Sequence, residues 1–234
     1  MPSFTKTAAS LACLAAFTMA TPIERRGEYP VTTITSVTAP SSTAISAPSS
    51  STATSVACPP PVPTCSPGTN GSAWQPAMYN IFPEDPDHSE PSVSFIRIAN
   101  EENKAPIEQV IVFRGLPAGA KTCSINWDQA AEAERNFTVT DSGLAGLQQM
   151  DGFPYGTPVS YTSVSAFVPE DGKVTHADFT FWDKQSKEAW PHSIGPVACG
   201  EEIYVKLTLD TLNGHGRVFM DQDKKNGFHI DYTC

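Results

Sequence analysis

Basic residues are scarce in this chain. Lys and Arg number 15 against 25 Asp and Glu, for a formal charge of −10 at pH 7, and none lies between Arg26 and Arg97. Such a surface cannot release counterions from a phosphate backbone or hold an anionic bilayer, which excludes nucleic acid and anionic membranes as partners. Long apolar runs are missing too. The longest, residues 8–17, falls well short of the roughly 20 residues that cross a bilayer, so no membrane insertion is expected.

Chemistry-bearing motifs are equally absent. The chain has no Gly-x-Ser-x-Gly elbow, phosphate-binding loop, His-Glu-x-x-His or Gly-x-Gly-x-x-Gly. His88, His176, His192, His215 and His229 show no ligand spacing. The acidic stretch PEDPDHSE (residues 83–90) reads as a Pro-punctuated loop, and DQDKKNG (residues 221–227) carries Lys224 and Lys225 where a calcium loop needs oxygen ligands. No cofactor, metal ligand or catalytic residue is assigned. Glycoside hydrolysis needs two carboxylates about 5 to 9.5 Å apart. The neighbours Glu101-Glu102 and Glu201-Glu202 point to opposite faces of a strand, so a hydrolase acting on polysaccharide or ester remains only if carboxylates meet through the fold.

What is present begins with a leader. Residues 1–20 combine Lys6, a small apolar run and the small residues Thr18-Met19-Ala20, the pattern of a secretory signal peptide. Arg25-Arg26 behind it reads as a dibasic processing site closing a short propeptide, residues 21–26. Residues 27–73 form a Ser/Thr/Pro-rich stalk. In residues 31–56, 15 of 26 positions are Ser or Thr and none is charged, so the tract cannot bury enough apolar surface to offset its chain entropy. In a secreted protein such a stalk carries O-linked sugar. Residues 74–234 are left for one domain, about 160 residues with a single core.

Period-two alternation dominates that domain. Strands are expected over residues 92–99, 108–114, 123–127, 136–140, 159–168, 174–182, 202–209, 217–220 and 227–233, with Gly- and Asn-rich turns between them. Only residues 129–135, QAAEAER, favour a short helix. Many short strands at regular spacing predict an all-β antiparallel β-sandwich, jelly-roll-like in wiring. Trp182 and Trp190 end a charged loop and either cap the core or stack on a glycan ring. Asn70-Gly71-Ser72 and Asn136-Phe137-Thr138 are N-glycosylation sequons, marking Asn70 and Asn136 as modification sites.

Cleavage of the leader leaves Cys58, Cys65, Cys123, Cys199 and Cys234, an odd number in an oxidising compartment. Cys199 and Cys234 bracket three strands running up, down and up. A seven-residue strand then separates them by roughly 23 Å, against the Cα separation of about 7 Å that a bridge tolerates. Cys123 is therefore expected to pair with Cys199. Cys234 is expected to reach Cys65 or Cys58, with a local Cys58–Cys65 loop as the rival.

Three stretches, FRGLPAGAKTCSINW (residues 113–127), ACGEEIYVKLTLD (198–210) and GFHIDYTC (227–234), carry a family resemblance. The chain resembles the fungal "ubiquitin three binding protein" But-two C-terminal domain family through Leu116-Pro117, Ala118-Gly119, Lys121-Thr122-Cys123, Cys199-Gly200 and Gly227-Phe228. The resemblance implies a secreted fungal protein with a β-rich domain and supplies no catalytic residue. Read literally, its name implies a binder in a ubiquitin-like pathway, which the leader, sequons and stalk oppose. The function expected is a secreted, non-enzymatic module, cell-wall or surface associated, whose partners are cell-wall glycans or extracellular proteins.

Overall fold

The computed structural model describes residues 64–234. The leader, the propeptide with Arg25 and Arg26, most of the stalk and Cys58 lie outside the described residues. The described chain is all-β. In order it forms β1 (Asn70–Trp74), β2 (Ala77–Ile81), β3 (Phe95–Asn100), β4 (Glu108–Arg114), β5 (Cys123–Gln129), β6 (Phe137–Asp141) and β7 (Leu144–Met150). A short helix α1 (Tyr161–Ser165), β8 (Val174–Asp178), the single turn α2 (Trp182–Gln185), β9 (Trp190–Val197), β10 (Glu202–Leu209), β11 (Gly216–Asp221) and β12 (Gly227–Thr233) follow. The strands pair antiparallel in three sheets, ordered β1-β12-β5-β9, β2-β4-β10-β7-β8 and β3-β11-β6.

The layering is sandwich-like, and alternation builds it. Cys123, Ile125 and Trp127 of β5 and Phe228 and Ile230 of β12 turn inward from the four-stranded sheet. They share one core with Ile203, Val205 and Leu207 of β10 and Ile111 and Phe113 of β4. Ile96, Ile98, Val218 and Met220 of the three-stranded sheet complete it. Buried polar groups join the layers: Gln109 Nε2 donates to Asn80 Oδ1 (3.0 Å) and to the Phe95 carbonyl (3.1 Å), and its Oε1 accepts from the Arg97 amide (2.9 Å). Each end of this amide is satisfied, so a polar side chain inside the core costs little.

Four expectations need correction. Residues 159–168 are not a strand. Ser160 and Ser163 form a reciprocal capping box that starts α1. The helix buries Val164 in a second cluster with Ile81, Val110, Val112, Met150, Phe153 and Val159, outside the five-stranded sheet. Burial of that patch overrides the β-branched composition. The short helix expected over residues 129–135 is reduced to a single 3-10 turn. Gln129 ends β5 and only the 3-10 turn Glu132–Glu134 follows. The strand expected over 174–182 stops at Asp178, whose carboxylate accepts the Thr180 amide (2.9 Å) and turns the chain into α2. Finally, the folded chain starts before residue 74. β1 pairs with β12 from Asn70↔Thr233 to Trp74↔His229, so residues 70–73 belong to the domain and not to the stalk.

The loop over the second cluster is clasped by charge. Glu202 receives the hydroxyls of Tyr155 and Tyr204, and the Arg114 guanidinium meets it at 3.2 Å. Partial burial would raise the Glu202 carboxyl, but these three donors hold it below its ordinary range. Such a group stabilises the fold above its unfolded pKa, and that contribution disappears as pH falls through the lower folded one. Glu202→Gln is expected to cost about 1 kcal/mol in urea unfolding at pH 7, a value reduced for partial exposure, and progressively less as the pH is lowered toward 3. An equal loss at both pH values would show that the clasp is packing alone.

Candidate functional site

Two bridges fix the site's frame. Cys123 pairs with Cys199 (Cα–Cα 5.3 Å) and Cys65 with Cys234 (5.2 Å). The Cys234 amide donates to Thr69 (2.8 Å) and the Gly68 amide to Cys234 (3.2 Å), so the last residue is sewn to the segment leading into β1. β1 is an edge strand, and this stitching holds it on the sheet.

The outer face of the four-stranded sheet collects the chemistry. Residues in register across β1, β12 and β5 share a face: Ser72 with Asp231 and Ser124, Trp74 with His229 and Asn126. Trp74 lies flat over His229, ring centroids 4.0 Å apart and 13° from parallel. Asn126 Nδ2 donates to Asp231 Oδ2 (3.0 Å), Ser72 donates to the other oxygen, and His229 Nε2 stands 3.6 Å away. At one end of this face Trp74, Asp128, Gln129, Glu134, Trp190 and Lys225 line a depression of about 340 Å³. At the other, Asn70, Ser72, Ser124, Asp231 and Thr233 line one of about 450 Å³.

Several buried polar atoms lie beside the first depression and beneath Trp74. Asp128 Oδ1, both amide atoms of Gln129 and His229 Nδ1 are buried and have no hydrogen-bond partner. Burial raises the Asp128 carboxyl above its usual range; His229 opposes the shift and Asp231 adds to it. Glu134 and Lys225 neutralise each other at 2.6 Å.

The two tryptophans named from sequence sit together, with ring centroids 6.2 Å apart. Trp182 is partly buried against the main core, whereas Trp190 is 52 % exposed. Beside them Phe181 is 66 % exposed at φ +66°, in the left-handed region that bulky residues avoid. Trp74, which completes the aromatic wall, carries no signal in the sequence beyond being a tryptophan near a Cys-Pro hinge. Asn70 and Asn136 both lie on the surface. Among the described residues no group of three or more His, Cys, Asp or Glu side chains could hold a metal ion, and no helix is long and apolar enough to cross a membrane.

Beneath the tryptophans His192 stacks on Trp127 at 3.6 Å and meets Trp182 edge-on at 4.3 Å. Burial pushes its pKa down to about 4. The folded protein therefore keeps His192 neutral where the unfolded chain protonates it, and stability falls as pH drops from about 6.5 to about 4. Asp128 acts with the opposite sign, because its folded state takes up a proton earlier. His192→Phe preserves the stack and is expected to remove about 1 kcal/mol of that acid loss, after allowing for partial exposure. Urea midpoints of the variant and the natural protein at pH 7 and pH 4.5 measure it; parallel curves would refute the assignment.

No family model matches the chain, and no curated protein matches it.

Proposed function

We propose that the domain is a secreted, non-enzymatic glycan-binding module that meets its ligand on the outer face of the four-stranded sheet. Trp74 in a row with Ser72, Asp231, Asn126 and Ser124 on one sheet face carries this reading. Aromatic rings stack on the apolar faces of sugars, and sugar hydroxyls both donate and accept, which suits the Ser72 and Ser124 hydroxyls beside the Asp231 carboxylate. Two bridges fit an oxidising, extracellular setting. The leader, the sugar-bearing stalk, the sequons at Asn70 and Asn136, jelly-roll-like wiring and membership of the But-two C-terminal domain family belong to the same proposal. The stalk then displays the module at a cell wall.

A glycan array with the purified protein tests the reading. Trp74→Ala is expected to weaken binding of any captured glycan about tenfold or more, while Trp182→Ala acts mainly on stability. Binding untouched by Trp74→Ala would remove the site. A second reading rests on Asp128, a carboxyl kept above its usual range with Asp231 close enough to add to the shift, since a glycoside hydrolase works with two carboxyl groups of which one is raised. Turnover of a bound glycan, abolished by Asp128→Asn, would establish the enzyme instead.

A further inference from the structure

We infer that this face takes a linear, neutral oligosaccharide lengthwise, several units at a time, and does not select a single terminal sugar; the inference rests on the glycan reading above. The two depressions lie at opposite ends of one sheet face. β12 runs beneath both, from Gly227 near the Asp128 end to Thr233 at the Asn70 end. Seven strand residues span about 20 Å, several times the width of one hexose ring.

The path between them is furnished for sugar throughout. Trp74 stands near the Asp128 end, where an apolar ring face can stack. Asn126, Asp231, Ser72 and Ser124 continue the row as hydroxyl, amide and carboxylate groups on the same face. The face thus offers a stacking surface at one end and hydrogen-bonding side chains toward the other, the layout of consecutive subsites.

Charge decides the ligand's class. Lys225 is neutralised by Glu134, and Asp231 is answered by Asn126, Ser72 and His229. Lys224 and Asp128, the remaining charged groups at the first depression, carry opposite signs. Among the residues lining the two depressions cations do not outnumber carboxylates, which leaves no surplus positive charge for a uronate or sulfate, and the net charge of −10 repels polyanions at range. An extended peptide would instead pair along a strand edge and would not need the side chains of the face.

Isothermal titration of the full-length secreted protein decides the matter, with N-linked sugar removed because Asn70 lines one end of the path. The probes are cello-, laminari- and chito-oligosaccharides from monosaccharide to hexasaccharide, with polygalacturonate as the anionic arm. At least one neutral series is expected to gain affinity with each added unit up to a plateau, while its monosaccharide binds at least a hundredfold more weakly than its hexasaccharide. Ser124→Ala, at the far end, is expected to weaken the hexasaccharide about fivefold and leave the disaccharide unchanged; near-ultraviolet circular dichroism checks its fold. Equal affinity for monosaccharide and hexasaccharide overturns the lengthwise site and leaves the glycan reading standing. Tighter binding of polygalacturonate overturns the neutral class. Failure of every glycan, or capture of an extended peptide in their place, overturns the glycan reading itself.

Discussion

Replacing Cys65 and Cys234 together by serine is expected to lower stability by about 5 kcal/mol, on the chain-entropy account of a loop this long. The bridge spans 169 residues, against 76 for Cys123–Cys199, so it restricts the unfolded chain over nearly the whole domain. Domains of this size have only about 5 to 15 kcal/mol in total. The double variant should therefore unfold at much lower urea or be poorly secreted. β1 should open first, because it is bonded to β12 alone and its stitches at Gly68 and Thr69 adjoin the bridge. Hydrogen exchange should rise earliest over residues 65–74, and Trp74 should leave His229, so the proposed glycan site is lost before the core melts. An unchanged urea midpoint would show that strand pairing alone holds β1. Peptide mapping without reduction tests the pairing directly: a peptide ending in Cys234 that alkylates freely would refute it.

Trp127→Ala is expected to cost about 3 to 5 kcal/mol, the range for deleting a large aromatic from a packed core. The indole is 1 % exposed and is enclosed by Phe179 (4.4 Å), Phe137 (6.0 Å) and the stacked His192 ring. No neighbouring side chain is placed to fill the space, because each is already committed to its own contacts. Water entering the cavity would reach His192 and relax the burial that keeps its pKa low. The variant should therefore lose acid sensitivity along with stability. A cost below about 1 kcal/mol by urea unfolding would mean that the core collapses around the gap.

Alternation in the sequence was enough to read β4, β10 and β12 at the bounds the structure gives, and β3, β5, β6, β8 and β11 as shorter or longer versions. These strands face a core on one side and water or a second layer on the other, so their pattern records their environment directly. β9 was hidden by Pro191 and Pro196, residues that a central strand rejects. It is an edge strand, where a missing amide hydrogen leaves no partner unsatisfied. β1, β2 and β7 are short or rich in Gly, Ala and Gln, with too little apolar contrast to declare a period.

The same division runs through the site. Composition alone determined an acidic chain, because charge is a sum over residues and needs no neighbours, while local alternation determined the all-β class. Counting strand directions excluded Cys199 with Cys234 and pointed to Cys123 with Cys199; the sequence left Cys234 between Cys65, Cys58 and no partner, and the fold chose Cys65. Register also required the tertiary structure. It set Trp74 over His229 and brought Asp128 and Gln129 beside Trp190, which pairs with Gln129 across β5 and β9. Trp74 and Trp190 lie more than a hundred residues apart in sequence, and no local periodicity encodes which edge strands flank a common sheet. That placement is a property of how the strands order themselves around the core, and the candidate site exists only once they have done so.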